Sequence, residues 1–467
     1  MEEMERNPYF VIENDRNILE FKNNLDEPIW FYMRRLILEL LDEKTIGKYV
    51  IHDTRDNNIL NILRYAVKSS LHNIFYKPQK SKIIFYSVFQ AIYENNEYYN
   101  KYIDPYVDCV KDYTLTIEAA PLDWRYEKNR HNKDVIFCGP NLIISEVLSK
   151  FLSKYDKTNR KNAEELVEFA SLKCEELLNV HLTNAEKKII VDGTIKIMSR
   201  AKLHSTWILK RCRRSGAKCL IMIGASYLWN SAIVRKLKGN GIQVADLQHG
   251  YIFNDNLVYD VSSGICQDGE TKKSAPNYLL TYGKWWNEQS NLPYQQKIAL
   301  GNPYREDKIK EFNNTSSKNV ILLIGTGVNT DDHILLAEFL GNKFGSQYEV
   351  VLRPHPTERI YMNNKLGNRK LLFTLDCEKD LYSTLERTKI LIGKSSTVLF
   401  EAYGLVNQII IWNDFVGQKL FKEDFFSHFD NFEQLPEIIM NGENSRSDIA
   451  FWENDSRKQY RAFYDSI

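Results

Sequence analysis

The sequence predicts an α/β protein with two doubly wound parallel sheets, and three observations predict it. Short runs of β-branched and aliphatic residues stop abruptly at glycine or polar groups, as buried parallel strands do. Stretches with helical apolar spacing alternate with these runs. At 467 residues the chain is too long for one ordinary core, so two domains are the expectation.

The downstream half parses most readily. Val320-Ile-Leu-Leu-Ile-Gly-Thr-Gly327 reads as a strand running into a glycine turn. Asp331 and Asp332 open an acidic first turn, and Leu335, Leu336, Phe339, Leu340 and Phe344 follow at helical spacing. Tyr348 to Leu352 is the next strand, Leu371 to Thr374 another, and Leu381 and Leu385 mark a short helix. Lys389 to Ile392, Ser396 to Gly404 and Gln408 to Trp412 then read as strand, helix and strand.

A second sheet is expected upstream. Cys219-Leu-Ile-Met-Ile-Gly224 is a strand, Tyr227 to Lys238 a helix, and Gly241 to Leu247 a strand that ends in Gln248-His249-Gly250. Tyr278 to Tyr282 and Lys297 to Leu300 add short strands, and Val135 to Cys138 one more. Lys82 to Tyr86 is a weaker strand signal, and Trp30 to Leu41 an amphipathic helix. The expected division is an N-terminal domain over 1–311, with its Rossmann-like core at about 130–305. A second Rossmann-like domain follows over 317–440, after the polar linker 312–317, and then a helical tail over 441–467. Two such domains predict an interdomain cleft lined by strand ends, the architecture called GT-B.

Composition narrows the function. Lys and Arg number 62 against 61 Asp and Glu, so nucleic acid gains no electrostatic support as a partner. Cys109, Cys138, Cys174, Cys212, Cys219, Cys266 and Cys377 show no metal-ligand spacing and read as reduced thiols. The N-terminus lacks a basic-then-apolar signal peptide, and no apolar run approaches the roughly 18–20 residues of a membrane span. A cytoplasmic protein is expected, with contact at the cytoplasmic face of the membrane left open.

The candidate chemistry sits where strands end. Val350-Val-Leu-Arg-Pro-His-Pro356 delivers Arg353 and His355, the latter stiffened between two prolines. Ile392-Gly-Lys-Ser-Ser-Thr-Val-Leu-Phe-Glu-Ala402 delivers Ser395, Ser396 and Thr397 to a helix start, where unpaired N–H groups suit a phosphate and serine also suits a cap. Glu401 lies one turn beyond Thr397, on the same face, placed to accept from ribose hydroxyls. His249 is the candidate base, since an imidazole titrates near neutrality; a strand-capping histidine is the alternative. Gly325 and Thr326, in Gly325-Thr326-Gly327, resemble a phosphate-cradling turn only loosely. Asp331-Asp332-His333 reads as a helix start before it reads as a metal site, and Lys210-Arg-Cys-Arg-Arg214 as a solvated basic face.

These motifs resemble those of bacterial GT-B transferases of capsule, lipopolysaccharide and teichoic-acid synthesis. Sialyl-, polysialyl- and Kdo transferases and CDP-glycerol glycerophosphotransferases carry a His-Pro and a Ser-Ser motif, here His355-Pro356 and Ser395-Ser396. His249-Gly250 is similar to the His-Gly motif of the glycerophosphotransferases, whose histidine acts as base. The resemblance covers roughly residues 215–412; residues 1–200 match no family, and the acidic motif of polysialyltransferases has no counterpart, Gln267-Asp268-Gly269 being misplaced. It implies a metal-independent glycosyltransferase without cofactor. The donor would be a nucleotide-activated sugar, favoured as a CMP-linked sugar acid such as Kdo or sialic acid. The acceptor would be a polysaccharide or lipid-linked glycan hydroxyl. A CDP-glycerol-type polyol-phosphate transferase, a sugar-nucleotide 2-epimerase and a non-catalytic polysaccharide-assembly protein are the alternatives.

Overall fold

The computed structural model describes residues 8–45, 58–87, 91–94, 96–110, 112–121, 123–253, 256–312, 318–367, 369–376, 380–413, 425–442 and 449–467. Cys377 and all but Phe312 of the anticipated linker lie outside them. The chain divides into two compact units, residues 1–48, 56–301 and 452–467 in one, and residues 49–55 and 302–451 in the other. Each is built on a parallel sheet, so the expected class, α/β with two Rossmann-like units, is what the chain adopts.

In the first unit the strands are β1 (Ile83–Ser87), a separate antiparallel pair β2 (Ala91–Glu94) and β3 (Glu97–Asn100), then β4 (Leu115–Glu118), β5 (Val135–Phe137), β6 (Cys219–Met222), β7 (Gln243–Leu247), β8 (Tyr278–Thr281) and β9 (Gln296–Ala299). The seven-stranded sheet runs β5-β4-β1-β6-β7-β8-β9, all pairs parallel. This sheet begins at Ile83, well before residue 130. Among its early strands β1 and β5 match expected runs, whereas β4 hides from pattern reading because it ends on a charge, Glu118, which is buried against the Arg130 guanidinium. Ahead of the sheet, helix Trp30–Thr45 is amphipathic, with Arg35, Glu39 and Glu43 exposed, and buries Trp30, Phe31, Tyr32, Ile37 and Leu41. Its partners include helices Lys157–Leu178 and Asn184–Ser215. Glu13, fully buried there, accepts from Trp30 Nε1 and pairs with Arg34. Helix Ser456–Ser466 closes the same unit, packing Tyr460, Phe463 and Tyr464 onto Phe85 and Ile221.

The second unit holds β10 (Val320–Ile324), β11 (Glu349–Arg353), β12 (Thr374–Leu375), β13 (Thr388–Gly393), β14 (Gln408–Trp412) and β15 (Ser427–Phe429). They form one parallel sheet in the order β12-β11-β10-β13-β14-β15. Leu371–Phe373 are not strand; only Thr374 and Leu375 pair, with Val351 and Leu352. Helix Thr330–Phe344 buries Leu336, Ala337, Leu340 and Phe344 as its spacing requires, while Leu335 is exposed. From β10 the chain builds outward through β11 to β12, then crosses back to add β13 on the other side. The strand order therefore reverses between β10 and β13. In open α/β sheets ligands sit beyond the carboxyl ends of strands at this reversal.

Candidate functional site

The carboxyl ends of β11, β10 and β13 are level, Ile324 pairing with Arg353 and Leu323 with Ile392. Their three following loops carry most of the expected donor-binding residues. The β10 loop is Gly325-Thr326-Gly327, and it packs against the β11 loop. Gly325 N–H donates to the Arg353 carbonyl at 2.9 Å. A side chain at Gly325 would bring Cβ to 1.9 Å from Glu358 Oε1, and Gly327 has φ +84° with its would-be Cβ 2.8 Å from Thr357 Oγ1. Both glycines are there for close approach and turn geometry. Thr326 Oγ1 lies 3.3 Å from the Val328 carbonyl.

Glu358, which no sequence motif marked, organises this corner. It is completely buried. Its Oε1 accepts the His355 N–H at 2.7 Å and its Oε2 the Thr330 hydroxyl at 2.7 Å. One carboxylate thus joins the β11 loop to the helix that follows β10. Held this way, the His355 side chain is exposed. The Thr357 N–H donates to His355 Nδ1 at 3.3 Å, and the Thr357 hydroxyl is 2.7 Å from the same atom. With Nδ1 as acceptor, the neutral ring carries its proton on Nε2, free to donate. Desolvation by the packed loop, then the charge of Arg359, lowers the His355 pKa, which favours the neutral ring.

Arg353 is engaged within the unit. It is buried, and its Nη1 donates to Asp376 Oδ2 at 2.7 Å; Asp376 is buried as well and also accepts from Thr384 Oγ1 at 2.9 Å. Removing one partner of such a pair strands the other charge, so Arg353 is first an anchor of β11.

Beyond β13, Ser395, Ser396 and Thr397 are half-buried. Ser396 caps the helix, accepting from Val398 N–H at 3.3 Å. That helix is Thr397–Glu401, shorter than the run to Gly404 read from sequence. So short a helix sums few peptide dipoles, and the loop before it also carries Lys394. Lys394 is buried, its Nζ 3.9 Å from the centroid of the Trp412 ring. It was missed because a lone lysine before Ser-Ser looks like surface. On the same indole lies His333, ring centroids 5.7 Å apart, its pKa pushed down to about 4 by burial and then by Lys394. His333 Nδ1 lies 3.2 Å from the Asn329 carbonyl, while Asp331 pairs with Lys365. Among the described residues no group of three or more His, Cys, Asp or Glu is placed to hold a metal.

Glu401 does share the helix face expected of it, but its Oε2 accepts the Tyr382 hydroxyl at 2.7 Å. Its backbone carbonyl accepts from Arg305 Nε and Nη2 at 3.2 and 3.1 Å, and Nη2 also donates to the Tyr403 carbonyl at 2.9 Å. The buried Arg305 guanidinium therefore satisfies the last carbonyl of the helix and that of Tyr403 just past its end, a C-cap by side chain.

His249 belongs to the first unit, just past β7. The strand's buried Asp246 accepts N–H groups of Gly224 at 3.0 Å and Ser226 at 2.8 Å, fixing the loop after β6. Burial pushes the Asp246 pKa up to about 6 despite these donors. That loop presents Tyr227, whose hydroxyl is 3.3 Å from His249 Nε2. Gly224 has φ +78° there, with the Tyr227 ring against it. Gln248 braces the turn from the other side. Its Nε2 donates to the Gly250 carbonyl at 2.8 Å and its Oε1 accepts Tyr282 N–H at 2.7 Å. The imidazole, half-buried against Tyr227 and Tyr102, has its pKa pushed down to about 4 by desolvation, the nearby Leu247 carbonyl opposing this in part. It is an unprotonated base at neutral pH.

No family model matches the chain, and no curated protein matches it in sequence. Among solved structures it is similar to the wall teichoic acid polymerase TagF, at 14% identity over 93% of this chain and 92% of that one, with a TM-score of 0.41. It is also similar to the UDP-GlcNAc 2-epimerase from Neisseria meningitidis, at 13% identity over 83% of this chain and 100% of that one, with a TM-score of 0.43. A putative UDP-N-acetylglucosamine 2-epimerase from Listeria monocytogenes is similar at 12% identity over 82% and 91%, with a TM-score of 0.41.

Proposed function

We propose that this chain is a metal-independent transferase that binds a nucleotide-activated donor at the carboxyl edge of the 302–451 sheet and passes the activated group to a hydroxyl. One observation carries the reading. The Ser395 and Ser396 hydroxyls and the buried Lys394 cation follow β13, where the strand order reverses, and the exposed His355 imidazole follows β11, whose end is tied to the adjoining β10 loop. Fixed donors and a fixed charge suit a phosphate that gains charge as it departs. The favoured donor is a CMP-linked sugar acid such as Kdo or sialic acid, and the favoured acceptor a surface-polysaccharide hydroxyl. In that reaction the acceptor oxygen forms a bond to the anomeric carbon while the bond from that carbon to the phosphate oxygen breaks, its electron pair leaving with CMP. His249 takes the acceptor proton, and His355 with the two serines donates to the leaving phosphate. Thr326 and Thr397 flank that phosphate, and the free oxygen of Glu401 holds the ribose. Arg353 keeps β11 in register through Asp376, leaving its remaining N–H groups for the donor.

The braced His249-Gly250 turn favours a second reading, transfer of a polyol phosphate from CDP-glycerol or a relative, because that turn resembles the glycerophosphotransferase motif. Both reactions release CMP; only the second adds phosphorus to the acceptor, so product analysis separates them. The test of the common core is His355→Ala. Turnover is expected to fall by roughly 10²–10⁴-fold with an unchanged melting temperature, because the ring is exposed. CMP or CDP is expected to raise the melting temperature of the wild type. Near-normal turnover in the variant, or no stabilisation by any of CMP, CDP, UDP and GDP, overturns the proposal.

A further inference from the structure

Two helices of the first unit are inside out. In helix Ile59–Phe75, Leu63, Val67, Leu71 and Ile74 recur every three or four residues and are 49–69% exposed. In helix Gly139–Tyr155, Ile144, Val147, Phe151 and Tyr155 repeat the pattern at 57–68% exposure. The faces turned inward carry few apolar groups: Tyr65 and Ser69 are the buried residues of the first helix, and Gly139, Ser145 and Ser149 those of the second. The two helices pack on each other, so their apolar stripes belong to one surface of the unit. A monomer in water seldom leaves so continuous an apolar face uncovered.

The charge around the face identifies its occupant. From Ile59 to Lys80 the sequence holds Arg64, Lys68, Lys77 and Lys80 and no Asp or Glu, in a chain whose net charge is only +1, and Asp123 and Glu127, which line one pocket with Arg64 and Lys68, already pair with Arg125. Lys150 and Lys154 are exposed on the second helix, and the acid beside them, Glu146, is already shared among Lys150, Lys196 and Arg200. Lys80 Nζ donates to the Arg214 carbonyl at 3.1 Å, which brings the Lys210–Arg214 run to the same end. A two-fold self-interface would set these cations against their own copies. Apolar side chains that penetrate, ringed by cations that stay in water, match an acidic lipid surface.

We propose that helices Ile59–Phe75 and Gly139–Tyr155 form a docking face that seats this unit in the headgroup layer of an anionic bilayer. The inference is independent of the transferase reading. No helix among the described residues is long and apolar enough to cross a membrane, so the seat is on the surface. The experiment is flotation of the full chain with vesicles of phosphatidylglycerol and phosphatidylethanolamine, and with vesicles of phosphatidylcholine alone. Wild type floats with the anionic vesicles, less so at high salt. Combining Val67→Ser, Val147→Ser and Phe151→Ser lowers binding on the order of 100-fold or more. Combining Lys68→Gln, Lys150→Gln and Lys154→Gln lowers it on the order of 100-fold, from about 1 kcal/mol per cation near an acidic surface. Both variants keep the wild-type melting temperature, since all six side chains are exposed. Failure of the wild type to float with anionic vesicles overturns the proposal. So does unchanged flotation of either variant, or a wild-type dimer in sedimentation velocity that the apolar variant turns into monomers.

Discussion

Replacing Glu358 with Ala removes the acceptor of two hydrogen bonds, the His355 N–H and the Thr330 hydroxyl, both at 2.7 Å. Bonds to a charged acceptor contribute roughly 1.5–3 kcal/mol each. The Thr330 hydroxyl is buried and stays unsatisfied, whereas the His355 turn is exposed and its amide rehydrates. The sum therefore falls near the lower end, about 3 kcal/mol. For a unit of this size that lowers the melting temperature by roughly 6–12 °C. Gln at this position keeps one neutral acceptor but turns an NH₂ group toward the other donor, so about half the loss is expected. Thermal unfolding followed by circular dichroism reads both variants. The alanine variant should also bind CMP more weakly, because the His355 loop is no longer tied to the loop after β10. A melting temperature within about 2 °C of wild type would falsify the claim that this carboxylate holds the two loops together.

Two further predictions concern pH. The acid limb of kcat/KM should lie near pH 4 to 5 rather than 6.5, since desolvation pushes the His249 pKa down to about 4. A limb at the ordinary histidine value would show that the ring is wet in the working enzyme. Buried His204, held between Tyr86 Oη at 2.9 Å and Asn141 Oδ1 at 2.7 Å, has its pKa pushed down to about 4. Between that value and 6.5 the unfolded chain binds a proton that the folded chain refuses, so His204 makes stability fall as pH drops through this window. Asp104 and Asp246, raised by burial to about 7 and about 6, act in the opposite sense. In His204→Gln the slope of stability against pH should therefore shift by one proton, about 1.4 kcal/mol per pH unit. Denaturant titrations at pH 5 and pH 6 measure it; an unchanged slope counts against the neutral, buried ring.

The downstream sheet was legible because its strands are continuous apolar runs, buried on both faces and punctuated by glycine. The upstream sheet was legible from Cys219 onward for the same reason. Before it, β1 and β5 were also read as strands, but β4 was not, because it ends on Glu118, whose charge makes sense only once Arg130 is beside it. The same limit governs the site. Strand-end positions marked His249, His355 and the serine pair, but sequence says nothing about what a buried ion will choose as a partner. Arg353 chose Asp376, and Glu401 shares its carboxylate with Tyr382. Glu358, Lys394, Arg305 and Gln248 went unseen because isolated polar residues look solvated until the fold encloses them. The length of the helix after Ser396 was overestimated, since Ala402 and Gly404 continue an apolar pattern that the turn interrupts.

Helix Ser456–Ser466 has a consequence for how the protein comes into being. Tyr460 is completely inaccessible to solvent beneath the sheet that begins with β1, so that sheet lacks part of its floor until residues beyond 452 have been synthesised. During translation the 302–451 segment emerges with all its own strands and can settle first, while the earlier unit waits, its underside wet. Nonsense mutations or clipping near residue 450 would then spare the later-made sheet and ruin the earlier one, and a reporter fused after Phe451 would ride on a half-finished protein.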